Sequence, residues 1–380
     1  MELPIYLDHA ASTPVAPEVL QAMLPFFTDS PWNAAAIYAG GKEATDAVET
    51  ARQQVADLIG ADADEVFFTS GGTESDNWAL KAARMGPTQG RSHILISAIE
   101  HAAVIESAEA LARAGWDVER VPVGADGCVE PAEVDMRISS RTALVSVMTA
   151  NNEVGTLQAV EAIADVCRSK RVLFHTDAVQ AAAQVPLDVQ KLGADMVTIS
   201  AHKLYGPKGV GALYIRRGTL VGRWMDGGSH ERGLRAGTVN VPGVVGIGAA
   251  CSLLHMRRNE DMSRVAALRD RLVSGVLDRV PECRLSAAES PRLPNFAHFC
   301  FRGVEGEAIL IGLDAAGIYA SAGAACSSRS VTTSHVLRAM GMSDEWARGA
   351  VRLTLGRSTT EAQVDYVVDV LAEVVADLRR

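Results

Sequence analysis

The sequence predicts an α/β protein with a large core, and three features carry that prediction. Apolar strand-like runs at residues 65–69, 93–97, 142–148, 172–177, 196–200 and 210–215 alternate with segments of helical periodicity, the pattern that builds an α/β sheet. At 380 residues, 48% hydrophobic and 22% charged, the chain has enough apolar material for two domains. From about Asn259 the pattern changes to a charged helix over 262–280 and then a smaller α+β region. That region closes on an amphipathic helix in which Val364, Val367, Val368, Leu371, Val374, Val375 and Leu378 recur at helical spacing, a stripe suited to a core.

Three strand ends carry chemistry. The run Ser200-Ala201-His202-Lys203 puts a lysine between an apolar strand and the glycine-rich turn that ends at Gly209. A shielded lysine there can lose its proton and form a Schiff base, although a lone lysine at a turn also reads as an ordinary surface residue. Residues 172–177 read as a buried strand ending on Asp177, with Gln180 a helical turn further on. A carboxylate at that point can keep a pyridine nitrogen protonated, or simply cap the next segment. Residues 67–77 form a strand, a Gly71-Gly72 turn with Thr73 as N-cap, and a helix start. Free backbone N–H groups and a hydroxyl there make a phosphate cradle, or a plain strand-to-helix connection.

Together these segments resemble the cysteine desulfurases of the pyridoxal-phosphate-dependent class V aminotransferase group. The resemblance covers nearly the whole chain, through residues 6–14, 70–77, Glu100-His101, 151–155, 175–180, 200–203, 227–238, 292–295, 321–327 and 352–357. It implies fold type I, aspartate aminotransferase-like: a large domain (12–258) with a seven-stranded mainly parallel sheet, and a small α+β domain (1–11 and 259–380). It also implies pyridoxal 5'-phosphate held by Lys203, with His101 stacked on the ring, Asp177 at the ring nitrogen, and Gln180 and Asn151 near the ring hydroxyl. Gly72, Thr73, Ser200 and His202 would take the phosphate, joined by Thr238 of a second subunit, which implies a homodimer. Arg352, assisted by Asn33, would hold the substrate carboxylate.

Cys326 separates the reactions open to such a fold. Residues 321–330 are small and polar and include Arg329, so a loop is expected that exposes the thiol and favours the thiolate. A lone cysteine among small residues also reads as a core thiol. The resemblance implies that Cys326 takes the sulfur of L-cysteine as a persulfide and leaves alanine. Cys167 and Cys251 lie on apolar stripes, and Cys128, Cys283 and Cys300 show no metal-ligand spacing, so no metal is expected.

The formal charge of −10 argues against direct binding to nucleic acid. No leader or membrane span is evident, and unpaired thiols suit a cytoplasmic setting. The stretch 326–341 resembles the longer-looped division of the family, whose members pass sulfur to iron–sulfur scaffolds, tRNA thiolation or DNA phosphorothioation. Two departures point to a specialised sulfur donor. The family's Asn-Pro-Ser-Ser, with a histidine two residues on, is replaced here by residues 33–38, Asn-Ala-Ala-Ala-Ile-Tyr, and the sequence stops at Arg380 without a docking tail. Two rivals stand beside this reading: selenocysteine lysis or another class V reaction, and a non-catalytic adaptor.

Overall fold

The computed structural model describes residues 3–85, 90–322 and 333–380. In chain order the strands are β1 (Ile5–Tyr6), β2 (Val66–Thr69), β3 (His93–Ser97), β4 (Asp117–Val121), β5 (Thr142–Ser146), β6 (Leu173–Asp177), β7 (Met196–Ser200), β8 (Gly211–Ile215), β9 (Cys283–Leu285), β10 (Phe296–Phe301), β11 (Ile318–Tyr319) and β12 (Ala350–Thr354). Seven of them form one sheet in the order β2-β8-β7-β6-β5-β3-β4, parallel except where β8 runs antiparallel to both neighbours. The chain therefore has the expected α/β architecture of fold type I.

Strands β3, β5 and β7 are buried along their whole length, because helices cover both faces of the sheet. The helices Gly72–Met85 and Ala102–Arg113 pack Trp78, Leu80, Val104 and Leu111 against Ile94, Ile96 and Leu144. The other face packs Leu95, Val145, Phe174, Val197 and Ile199 into a larger cluster with Val55, Ile59 and Ile163. Sequence periodicity overlooks β4, an edge strand whose charged residues break the apolar run.

A second, three-stranded antiparallel sheet has the order β12-β10-β9, and its core joins Phe299, Phe301 and Val351 to the last helix, Glu361–Leu378. The charged helix expected at 262–280 is the second half of one 39-residue helix, Val241–Arg279. Its first half packs Val244, Ile247 and Leu254 into the large-sheet core, and its second half packs Val265, Leu272 and Val276 into the small-sheet core. The expected boundary at 258/259 thus falls inside a continuous helix. Among the described residues no helix is long and apolar enough to cross a membrane.

One buried ion pair ties the front of the large sheet together. Arg52 meets Glu231 through Nη1 at 2.9 Å and Nη2 at 3.0 Å, and the same carboxylate accepts the Phe68 amide at 2.9 Å. Both side chains are 5% exposed, so removing Glu231 leaves a buried guanidinium whose remaining carboxylate, the half-exposed Glu49, lies 3.2 Å from Nε. Glu231→Ala is expected to destabilise the fold by about 3–5 kcal/mol, read from the midpoint of urea unfolding.

Candidate active site

A cavity of about 630 Å³ opens where the parallel strands of the large sheet end, the position at which such sheets bind ligands. Asp177 closes β6, and Lys203 ends the single turn Ala201–Lys203 that follows β7. Gly72 begins its helix two residues after the Ser70 that follows β2, and His101 N-caps the helix that follows β3. The cavity is lined by Gly72, Thr73, His101, Asp177, Gln180, Ser200, His202, Lys203 and Arg352. Nine of the expected site residues therefore meet in one place, although they come from five separate stretches of chain.

Their electrostatics suit an acid–base site. Lys203 Nζ donates to the Ala10 and Ala11 carbonyls at 2.5 and 2.6 Å. His101 Nδ1 accepts the Ala103 amide at 3.1 Å, and burial, helped by the charges of Lys203 and His335, lowers its pKa. His202 is pushed down to about 4, first by burial and then by Lys203 and Lys208, so it is a neutral ring near pH 7. Asp177 accepts the Val179 amide at 2.8 Å, and burial raises its pKa against the pull of His101 and Lys203. A cationic ring N–H placed against Asp177 would favour its ionised form.

Behind Asp177 lie two more buried acids that sequence patterning does not single out. Asp76 lines the cavity, its pKa is raised by burial and by Asp177, and its Oδ1 has no hydrogen-bond partner among the described residues. Glu100 accepts from Ser97 Oγ at 2.6 Å and from the Met148 amide at 2.8 Å, and burial pushes it up to about 8. Glu153 and His335 also line the cavity. Their signal lies in spacing to residues far away in sequence, since Ser334 Oγ donates to Glu153 and His335 Nε2 lies 3.0 Å from the Glu100 carbonyl.

Three expected residues stand elsewhere. Asn151 does not line the cavity: its Nδ2 donates to the Ile99 carbonyl at 3.0 Å, and its Oδ1 accepts the Glu153 and Val154 amides. The side chain organises its own turn, and Asn152 and Glu153 face the cavity instead. Asn33 is exposed, with Oδ1 accepting the Ala35 amide at 2.9 Å. Thr238 is exposed beside a separate small cavity of about 130 Å³ shared with Ser70, Arg235 and Gly237. Thr73, read as an N-cap, sits inside the first turn of its helix.

Cys326 lies outside the described residues. The flanks of its segment are placed: Ser321 exchanges both backbone hydrogen bonds with Arg352, and Ser334 is held by Glu153. Burial raises the pKa of each of the five described cysteines, to about 12 for Cys167, Cys251 and Cys283 and about 11 for Cys300. All five are therefore thiols near neutral pH.

The donor set fits pyridoxal phosphate. The N-terminus of the 14-residue helix from Gly72, with the hydroxyls of Thr73 and Ser200 and the neutral His202, offers donors to a phosphate. A side chain at Gly72 would bring its Cβ to 3.0 Å from Val179 Cγ2, so the backbone there is kept open. Asp177 offers a buried acid to a ring nitrogen, and Lys203 offers the amine.

Glu100 gives the site a pH signature. Its folded-state pKa of about 8 lies above the unfolded carboxyl value, so the native state retains a proton that the unfolded chain has lost. That contribution is complete below about pH 4.5 and declines as pH rises towards 8. Glu100→Gln is expected to lose less stability than the wild type between pH 5 and pH 8, measured as the shift in urea midpoint.

Comparison with known proteins agrees with this geometry. The family model for class-V aminotransferases matches residues 5–367. A cysteine desulfurase IscS of Clostridium botulinum (strain Hall) is 42% identical over 381 residues, covering 100% of this chain and 96% of that protein. Among solved structures, a NifS-like protein superposes with a TM-score of 0.93 at 37% identity, covering 99% of this chain and all of the other. SspA in complex with cysteine superposes with a TM-score of 0.83 at 31% identity, covering 94% and 100%. The chain belongs to the class-V aminotransferase family, in its pyridoxal-phosphate-dependent cysteine desulfurase branch.

Proposed function

We propose that the cysteine desulfurase reaction of this protein is carried by Lys203, His101, Asp177 and Arg352, with Cys326 as the sulfur carrier. One observation carries the assignment: a single cavity collects the lysine, the strand-end acid, the neutral imidazoles, the phosphate donors and a buried arginine. Pyridoxal phosphate, when bound, supplies an aldehyde carbon and a ring that takes up electrons released at the substrate α-carbon. Lys203 Nζ would hold that aldehyde and carry the α-proton. Asp177 would keep the ring nitrogen protonated, and His101 would hold the ring. The Arg352 guanidinium binds the α-carboxylate of L-cysteine.

The Cys326 thiolate then attacks the substrate sulfur. A sulfur–sulfur bond forms as the carbon–sulfur bond breaks, the electron pair stays with carbon, and protonation there releases alanine and leaves a persulfide. Since the described cysteines are held as thiols, Cys326 is the chain's one remaining candidate for this step.

The wider reading is that the chain is a cytoplasmic homodimer in which Thr238 completes the partner's phosphate site, with lobes of 12–258 and of 1–11 plus 259–380. Its persulfide goes to an acceptor protein serving iron–sulfur assembly, tRNA thiolation or DNA phosphorothioation. The exposure of Thr238, away from its own chain's cavity, supports the shared site.

The wild type is expected to release alanine from L-cysteine under reducing conditions, and Cys326→Ala to release none above background. Equal release by both would remove Cys326 as the carrier. Lys203→Ala is expected to lose the absorbance of lysine-linked pyridoxal phosphate, read after the unbound excess is removed, and at least a hundredfold of alanine formation, as about 10²–10⁴ is typical for a lost proton-transfer group. Persistent absorbance would show that another amine holds the cofactor.

A further inference from the structure

The reaction leaves Asp8 without a task, yet Asp8 is the residue that holds Arg352. Arg352 Nη2 meets Asp8 Oδ1 at 2.7 Å, and Nη1 donates to the Asn152 carbonyl at 2.5 Å. The arginine side chain is 3% exposed, and its Nε has no hydrogen-bond partner among the described residues. A guanidinium carries five N–H donors in a fixed plane, so two gripped nitrogens set the direction of the rest. Arg352 lines the cavity and Asp8 does not, so the carboxylate holds the guanidinium from outside the space a substrate would fill.

Asp8 is itself anchored. It bridges Thr354 in parallel register, and its carbonyl accepts from Tyr6 Oη at 2.9 Å. Two and three residues further on, the Ala10 and Ala11 carbonyls accept from Lys203 Nζ, and Ala10 also accepts from Gln180 Nε2 at 3.0 Å. Three residues of extended chain span at most about 10 Å. One short segment therefore fixes both Arg352 and Lys203.

We propose that Asp8 is a positioning residue for substrate binding: its carboxylate orients the Arg352 guanidinium so that the free N–H groups receive an amino-acid carboxylate at a set distance from Lys203. The proposal rests on the reading of Arg352 as the carboxylate site. A negative neighbour also weakens the pull of Arg352 on a second anion. Orientation outweighs that loss, because a two-pronged donor binds a carboxylate well only when its plane is aligned.

The test uses the cofactor-loaded protein and two non-sulfur ligands, L-alanine and its decarboxylated counterpart ethylamine, with binding read from the change in visible absorbance. Asp8→Ala is expected to weaken L-alanine about tenfold and leave ethylamine unchanged, the size of a lost hydrogen bond to a charged group. Asp8→Asn keeps an oxygen for Nη2 and is expected to recover most of the affinity. Asp8→Glu keeps the charge but displaces the oxygen by a methylene, and is expected to lose affinity as the alanine variant does. Wild-type or tighter L-alanine binding in Asp8→Ala or Asp8→Glu overturns the proposal, as does an equal loss for ethylamine. Arg352→Ala separates the two readings: unchanged L-alanine binding there removes the carboxylate site, and Asp8's role with it. Weakened binding in Arg352→Ala beside wild-type binding in the Asp8 variants sinks the role of Asp8 alone.

Discussion

The site depends on one strap of chain, Asp8–Thr13, that lies across the gap between the two sheets. On one side it pairs with β12 through Asp8 and Thr354. On the other, Thr13 Oγ1 donates to the His202 carbonyl at 3.0 Å and accepts the Tyr205 amide at 2.8 Å, which clamps the strap to the turn carrying Lys203. Between these anchors its carbonyls take the Lys203 amine and the Gln180 amide. The amine and the buried arginine belong to different sheets, and the strap gives them a common reference.

The electrostatic design of the cavity is an economy of charge. Burial raises the pKa of Asp76 in its lining and of Glu100 nearby, and lowers those of His101 and His202. Lys203 and Arg352 bring the amine and the guanidinium to this lining. An amino-acid carboxylate entering such a space meets a guanidinium already oriented by Asp8, and a protonated ring nitrogen would favour the ionised form of Asp177. The buried polar groups also hold one another in place: His175 sits between Ser146 Oγ at 2.9 Å and Thr198 Oγ1 at 3.0 Å, with burial pushing it down to about 3.

Much of this was legible in the sequence where the physics is local. Interior parallel strands read as apolar runs because both faces are covered, and Asp177 and Lys203 stand out because they end such runs. The edge strand β4 escaped detection because one side of it meets water, and the long helix was read as its second half because residues 255–264 between its two packed stretches contain no buried side chain. Within the site, a residue type does not reveal a side chain that serves its own backbone, as that of Asn151 does. It also passed over partners that only folding brings together: Asp8 and Arg352 are 344 residues apart, and Ser334 and Glu153 are 181 apart. No periodicity or motif encodes those pairs.

The helix Val241–Arg279 has a mechanical consequence. At about 1.5 Å per residue it is a rod of roughly 58 Å, embedded at one end in each hydrophobic cluster. Sharp kinks in helices arise at proline, at glycine or at inserted turns, and from Ala249 to Ser274 the rod contains neither residue. The two sheets are thus mounted on a shared axle with no built-in joint. Melting either end would leave a row of apolar side chains without a partner, so the two cores are expected to stand or fall together.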